Sequence, residues 1–73
     1  MGQITVQLNG EPHATSSASI SELIQELKLN SDHVIVEHNL AVLKAINHNH
    51  TPLNTGDVIE IIRYIGGGQK IIY

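Results

Sequence analysis

Apolar and polar residues alternate at the start of the chain. Ile4, Val6 and Leu8 are separated by Thr5 and Gln7, after a polar Gln3. A period of two puts three apolar side chains on one face and predicts a half-buried strand over residues 3–8. Asn9-Gly10 follows at once. Both residue types tolerate the positive φ of a type I′ turn, so the chain is expected to double back as a hairpin. The return strand, Glu11 to Thr15, is short and polar, and Pro12 cannot donate a ladder hydrogen bond; both features suit a sheet edge.

The period then changes. Ile20, Leu23, Ile24 and Leu27 recur at i, i+3, i+4 and i+7, with Glu22, Gln25, Glu26 and Lys28 between them. This is one apolar stripe on a helix. Ser19 and Glu22 have the spacing of a capping box at its start. The two glutamates near the beginning and Lys28 near the end agree with the helix dipole. Asn30-Ser31-Asp32 is expected to end the helix. Val34-Ile35-Val36, inside residues 33–38, is a β-branched run that reads as a buried strand. Asn39 turns the chain, and Ala41-Val42-Leu43 is a short partner strand. Residues 44–52 have no period and read as a loop with room for one helical turn. After a turn at Asn54-Thr55-Gly56-Asp57 comes the longest β-branched run, residues 58–65, the expected central strand. Both of its faces are largely apolar: Ile59, Ile61 and Ile65 on one, Val58, Ile62 and Tyr64 on the other. One must enter the core, and the other is left for something else to cover.

The order is hairpin, helix, strand pair, loop, long strand. If the first and last strands run parallel, the helix lies on their crossover. The fold class is α+β, a mixed sheet of four to five strands with one main helix across it. Residues 1–65 form the folded unit, and residues 66–73 are expected to be a flexible tail.

Composition narrows the function. The chain has 73 residues and 41% hydrophobic content, enough for one small core. It has no cysteine, which excludes a disulfide framework, a thiolate metal site and a catalytic thiol. Its only aromatic residues are Tyr64 and Tyr73, too few for a base-stacking platform. A net charge of −3, with Lys28, Lys44, Arg63 and Lys70 scattered, argues against nucleic acid as a partner. No apolar run approaches the roughly 20 residues of a membrane span, and the N-terminal residues do not form a signal peptide, so the expected location is the cytoplasm.

The five histidines, His13, His33, His38, His48 and His50, show no four-ligand spacing, so they read as exposed loop residues and no metal is expected. Asn49-His50-Thr51 has the glycosylation pattern, but no secretory signal would bring it to that machinery. Ser16, Ser17, Ser19 and Ser21 read as loop and cap chemistry, because no base and orienting group can be paired with them. Gly66-Gly67-Gly68 is more informative. A run without Cβ atoms lets a narrow channel close around the backbone, and it lets a terminus swing outward. The face Val58, Glu60, Ile62 and Tyr64 leads to these glycines and reads either as core or as a docking surface.

Taken in order, Val6-Gln-Leu-Asn-Gly-Glu11, Ser21-Glu-Leu-Ile-Gln-Glu-Leu27, Val34-Ile-Val-Glu-His-Asn39 and Gly56-Asp57-Val-Ile-Glu-Ile-Ile62, ending at Ile65-Gly-Gly-Gly68, resemble the ThiS family of sulfur carriers in thiamine biosynthesis. The resemblance covers residues 4–68. It implies a ubiquitin-like β-grasp fold and a role as a carrier, not an enzyme. Gly68 would be the modified residue, with Gly66 and Gly67 in the partner's channel and Val58, Glu60, Ile62 and Tyr64 in the docking surface. A ThiF-like adenylating enzyme would use ATP and Mg²⁺ to activate the glycine carboxylate, and sulfur from a cysteine desulfurase would convert it to a thiocarboxylate. A ThiG-like thiazole synthase would take the sulfur. No cofactor is expected on the carrier itself.

Two departures stand out. Leu40 follows Asn39 where the family has Gly, and Gln69 to Tyr73 follow Gly68, so a processing protease would have to free the carboxylate. Related readings are the small subunit of molybdopterin synthase, a carrier for tRNA thiolation, a ubiquitin-like tag, or a β-grasp docking module without a carrier role.

Overall fold

The computed structural model describes residues 2–64 and 70–72. Strands β1 (Ile4–Leu8) and β2 (Glu11–Thr15) pair antiparallel, with Ile4 opposite Thr15 and Leu8 opposite Glu11. Asn9 and Gly10 take φ of +49° and +86°, the two left-handed positions of the I′ turn that the dipeptide predicts.

Helix α1 spans Ile20–Glu26. The Glu22 amide donates to Ser19 Oγ at 3.2 Å, as in a capping box. The Glu22 carboxylate reaches back one residue further than that motif requires, accepting from the Ala18 amide at 3.0 Å. The helix ends earlier than Asn30. Lys28 takes φ +60°, the Leu29 amide donates to the Ile24 carbonyl, and the Lys28 amide donates to Gln25. These two bonds are a Schellman cap, which satisfies the last carbonyls at once and turns the chain. Residues Ser31–His33 then form a separate 3₁₀ turn, capped by Asn30 Oδ1 accepting from Asp32 at 2.8 Å.

Strands β3 (Val34–His38) and β4 (Ala41–Leu43) form a second antiparallel pair. Its turn residues, Asn39 and Leu40, have φ of +52° and +74°, so Leu40 stands in a conformation that glycine adopts without strain. The histidine-rich stretch contains a 3₁₀ segment, Ala45–His50, packed against α1. Strand β5 spans Val58–Tyr64.

The sheet order is β2-β1-β5-β3-β4. β5 is central: it runs parallel to β1, with Leu8 opposite Ile59, and antiparallel to β3, with Val36 opposite Ile61. The path from β1 to β5 carries α1, so the crossover has the expected helix. A sixth strand, β6 (Lys70–Ile72), pairs antiparallel with the far end of β5, Tyr64 opposite Lys70 and Ile62 opposite Ile72. Residues 66–73 were expected outside the folded unit; residues 70–72 instead add to the sheet.

The core lies between one face of the sheet and α1. Ile20, Leu23 and Ile24 from the helix meet Val6, Leu8, Val36, Ile59 and Ile61 from the strands, and Leu53 closes one end. Full burial of each such side chain is worth about 1.5–3 kcal/mol, so this cluster supplies most of the apolar stabilisation. Of the β-branched run in β3, only Val36 is fully buried, because Ile35 points to the opposite face.

Candidate functional site

β5 has two different faces, and the alternation decides their roles. Ile59 and Ile61 are buried in the core. Val58, Glu60 and Ile62 therefore share the other face, where Val58 is 39% exposed and Glu60 and Ile62 are half-buried. Tyr64 belongs to the same register, paired through its backbone with Lys70. The structure thus brings Val58, Glu60 and Ile62 into one row on the face of the sheet turned away from the core.

Cross-strand neighbours widen the row into a patch. Ile35 stands opposite Ile62, Glu37 opposite Glu60, and Val42 opposite Glu37. Val42 is 67% exposed. The patch is apolar at Ile35, Ile62, Val42 and Val58 and acidic at its middle, where two glutamates face each other across the strands. Like charges placed directly opposite are unfavourable in a free sheet. Ile35, Glu37 and Val42 were not singled out from sequence. The signal was present in the odd position of Val34-Ile35-Val36, which a two-residue period sends to the outer face, but a continuous apolar run hides it.

Gly66, Gly67 and Gly68 lie outside the described residues. What the structure places is the root of that segment, and β5 is held from both edges there. On the β1 side, Asn9 Oδ1 accepts from the Ile61 amide at 2.7 Å and Asn9 Nδ2 donates to the Ile61 carbonyl at 3.1 Å. On the β3 side, Asn39 Oδ1 accepts from the Val58 amide at 2.8 Å, and the Asn39 amide donates to the Val58 carbonyl at 2.8 Å. Each asparagine extends a ladder past the end of its own strand.

The histidines depart from the exposed-loop expectation. His38 Nε2 is 2.9 Å from Asp57 Oδ2, and the same carboxylate accepts from the Asn54 amide at 2.9 Å and from Asn39 Nδ2 at 3.3 Å. Burial pushes the Asp57 carboxyl up, but the donors from His38, Asn54 and Asn39 outweigh it and hold the group below its ordinary value. His13 Nε2 is 2.9 Å from Glu26 Oε2, while Thr15 and Ser17 hydroxyls donate to Glu26 Oε1. Donation from Thr15 leads in holding Glu26 below the usual carboxylate range; burial opposes it, and Ser17 and His13 add to it. His48 is only 3% exposed, and neither ring nitrogen meets a hydrogen-bonding group among the described residues. A polar residue in an aperiodic stretch gives no sequence sign of such burial. His33 and His50 are exposed.

These clusters brace the fold. The Asp57 network ties the β3–β4 turn to the turn before β5, and the Glu26 network ties β2 to α1. Among the described residues no three His, Cys, Asp or Glu side chains gather as a metal site. No helix among them is long and apolar enough to cross a membrane.

A mixed sheet with a parallel central pair, one crossing helix and an open outer face defines the ubiquitin-like β-grasp class. Within that class the chain belongs to the ThiS family, whose defining sequence pattern matches residues 6–68. A crystal structure of the thiamine biosynthesis protein ThiS from Geobacter metallireducens superposes with a TM-score of 0.75 at 30% identity, covering 89% of this chain and all of that one. The sulfur carrier protein ThiS of Bacillus subtilis is 32% identical over 65 residues, 86% of this chain and 98% of that protein. A thiazole synthase from Magnetococcus marinus is 37% identical over 65 residues, 88% of this chain, but the chain spans only about a fifth (20%) of that protein's length.

Proposed function

We propose that the protein is a sulfur carrier for the formation of the thiamine thiazole, working as a carried substrate and not as a catalyst. The observation that carries this reading is the family match, which runs through the core strands and ends on the last of the three glycines. The working group is the Gly68 carboxylate, freed when a protease removes residues 69–73. A carboxylate is a poor electrophile. An adenylating partner of the ThiF type would let one of its oxygens attack the α-phosphorus of ATP, with Mg²⁺ neutralising the leaving pyrophosphate. The terminal sulfur of a persulfide relayed from a cysteine desulfurase would then attack the acyl carbon and expel AMP. A second thiol on the partner would cleave the resulting acyl disulfide, releasing the thiocarboxylate and leaving a disulfide on the partner. A ThiG-like thiazole synthase is the expected acceptor, and the likeness of this chain to part of the Magnetococcus thiazole synthase supports that pairing.

The geometry suits the task. Gly66 and Gly67 would pass through the partner's channel, since a chain without Cβ needs the narrowest opening. Val58, Glu60, Ile62 and Tyr64 would dock, with Ile35 and Val42 extending the apolar contact. The paired Glu37 and Glu60 favour a partner that brings a basic side chain to the middle of the patch.

The test is intact-mass spectrometry of the full chain and of residues 1–68, each expressed in a cell with its own adenylating enzyme and sulfur donor. A species ending at Gly68 with one carboxylate oxygen replaced by sulfur is the expected result. If residues 1–68 gain no sulfur while still binding a partner through the sheet, the protein is a docking module.

A further inference from the structure

The edge of β5 that faces β1 is satisfied in three successive ways. The Gln7 amide donates to the Asp57 carbonyl at 2.9 Å, and the Asn9 amide to the Ile59 carbonyl at 2.9 Å. The Asn9 side chain then bonds both backbone groups of Ile61. Backbone groups of alternate residues point to the same edge of a strand, so Arg63 comes next. β1 and its turn have ended by then. Ile71 of β6 stands opposite Arg63 instead.

That placement constrains the glycines. Tyr64 and Lys70 are register partners, and the five residues between them include Gly66, Gly67 and Gly68. Paired residues across an antiparallel ladder have Cα atoms about 4.5–5.5 Å apart. Tyr64 and Lys70, which flank the glycine segment in sequence, are therefore held side by side on the sheet. In a chain ending at Gly68, the four residues after Tyr64 reach as far as about 13–14 Å when extended. In the full chain Gly68 lies in sequence between two residues of the sheet, Tyr64 and Lys70, and is not a chain end.

We propose that residues 70–72 are a built-in masking strand: they occupy the β5 edge at Arg63 until the chain is cut after Gly68. Cutting bares the Arg63 edge. The cut and its consequence for sulfur loading rest on the proposed carrier role; the pairing of β6 with the Arg63 edge does not.

The test compares three proteins: the full chain, residues 1–68, and the full chain carrying Ile71→Pro. Proline at 71 keeps the length but removes the amide that pairs with Arg63. Amide exchange measured by NMR should be about ten-fold or more faster at Arg63 in residues 1–68 and in Ile71→Pro than in the full chain, with the Ile61 amide unchanged as an internal control. Equal exchange at Arg63 in all three overturns the proposal. Binding to an adenylating enzyme that releases pyrophosphate with residues 1–68 supplies the functional arm. The full chain should bind it at least ten-fold more weakly, and Ile71→Pro should recover part of the loss. Full-chain binding as tight as that of residues 1–68 overturns the masking, and so does Ile71→Pro binding no better than the full chain. If residues 1–68 are not adenylated at all, the carrier role fails while the exchange result stands or falls separately.

Discussion

Asn9 holds the centre of the sheet with a side chain, and replacing it by alanine tests whether that is a structural bond or a coincidence of geometry. Asn9→Ala removes the acceptor at 2.7 Å from the Ile61 amide and the donor at 3.1 Å from its carbonyl. Ile61 is fully buried. A buried backbone group left without a partner costs about 1–3 kcal/mol, and water entering from the edge keeps the pair at about 2–4 kcal/mol. Alanine must also hold the left-handed φ of +49°, which asparagine tolerates better. That adds about 1 kcal/mol, for about 3–5 kcal/mol in all. A domain of 73 residues has only about 4–11 kcal/mol to lose, so the variant should lie close to unfolding. Urea denaturation followed by circular dichroism reads the change, and an unaltered slope keeps the comparison two-state. Asn9→Gly relieves the backbone but not the lost bonds, and should remain destabilised by about 2 kcal/mol or more. Asn9→Asp keeps the acceptor but sets a carboxylate against the Ile61 carbonyl. Its penalty should be large at pH 7 and shrink near pH 4, where a protonated carboxyl can donate as the amide did. A cost below about 1 kcal/mol for Asn9→Ala would refute the claim that this side chain completes the ladder.

Three further outcomes follow from single features. Leu40 is 89% exposed at φ +74°, so Leu40→Gly relieves strain and gives up little packing; it should add about 0.5–1 kcal/mol, read as a rise of several degrees in Tm. Asp57→Asn should cost about 1–3 kcal/mol at pH 7 by weakening bonds from His38, Asn39 and Asn54. Because the Asp57 pKa is lowered in the folded state, its contribution is present above the unfolded value of about 3.9 and lost as pH falls below it. Denaturation curves of the wild type and Asp57→Asn should therefore converge in acid, and a gap that stays constant from pH 7 to pH 3 would overturn the assignment. His48→Leu removes two buried nitrogens that bond nothing among the described residues, and should be neutral or stabilising by up to about 1 kcal/mol in the same denaturation assay. A loss above about 2 kcal/mol would show that a buried water serves those nitrogens in solution.

Local periodicity made most of the fold legible. Ile4, Val6 and Leu8 alternate because one face of β1 is wet, and Ile20, Leu23, Ile24 and Leu27 repeat because one face of α1 is. The Asn9-Gly10 turn could be read from residue type alone. What escaped the sequence depends on contacts between distant segments. The helix end was misplaced because a Schellman cap built on Lys28 breaks the usual preference for glycine. His48 is buried by a 3₁₀ segment folding onto α1, and no period marks such a segment. The outer-face row Val58, Glu60 and Ile62 was legible, but its neighbours Ile35, Glu37 and Val42 appear only once the register of β3 and β4 on β5 is known. The β6 pairing escaped because three residues after a glycine run are too short to carry a strand signal.

The two asparagines explain how a small sheet can hold its central strand from both edges. Asn9 and Asn39 both sit at left-handed turn positions, and both use side-chain amides where a longer strand would use its backbone. They act on opposite edges of β5, at Ile61 and at Val58. A longer β1 would have covered Arg63 as well and left no place for β6. By ending β1 at Leu8 and completing the ladder with one side chain, the fold secures the central strand up to Ile61 and leaves the Arg63 edge available to another strand. Rigid attachment and an accessible edge are thus obtained from the same residue. Substitutions at Asn9 should for that reason disturb both the stability of the sheet and the hold of β6 on it, whereas substitutions at Asn39 should disturb stability alone.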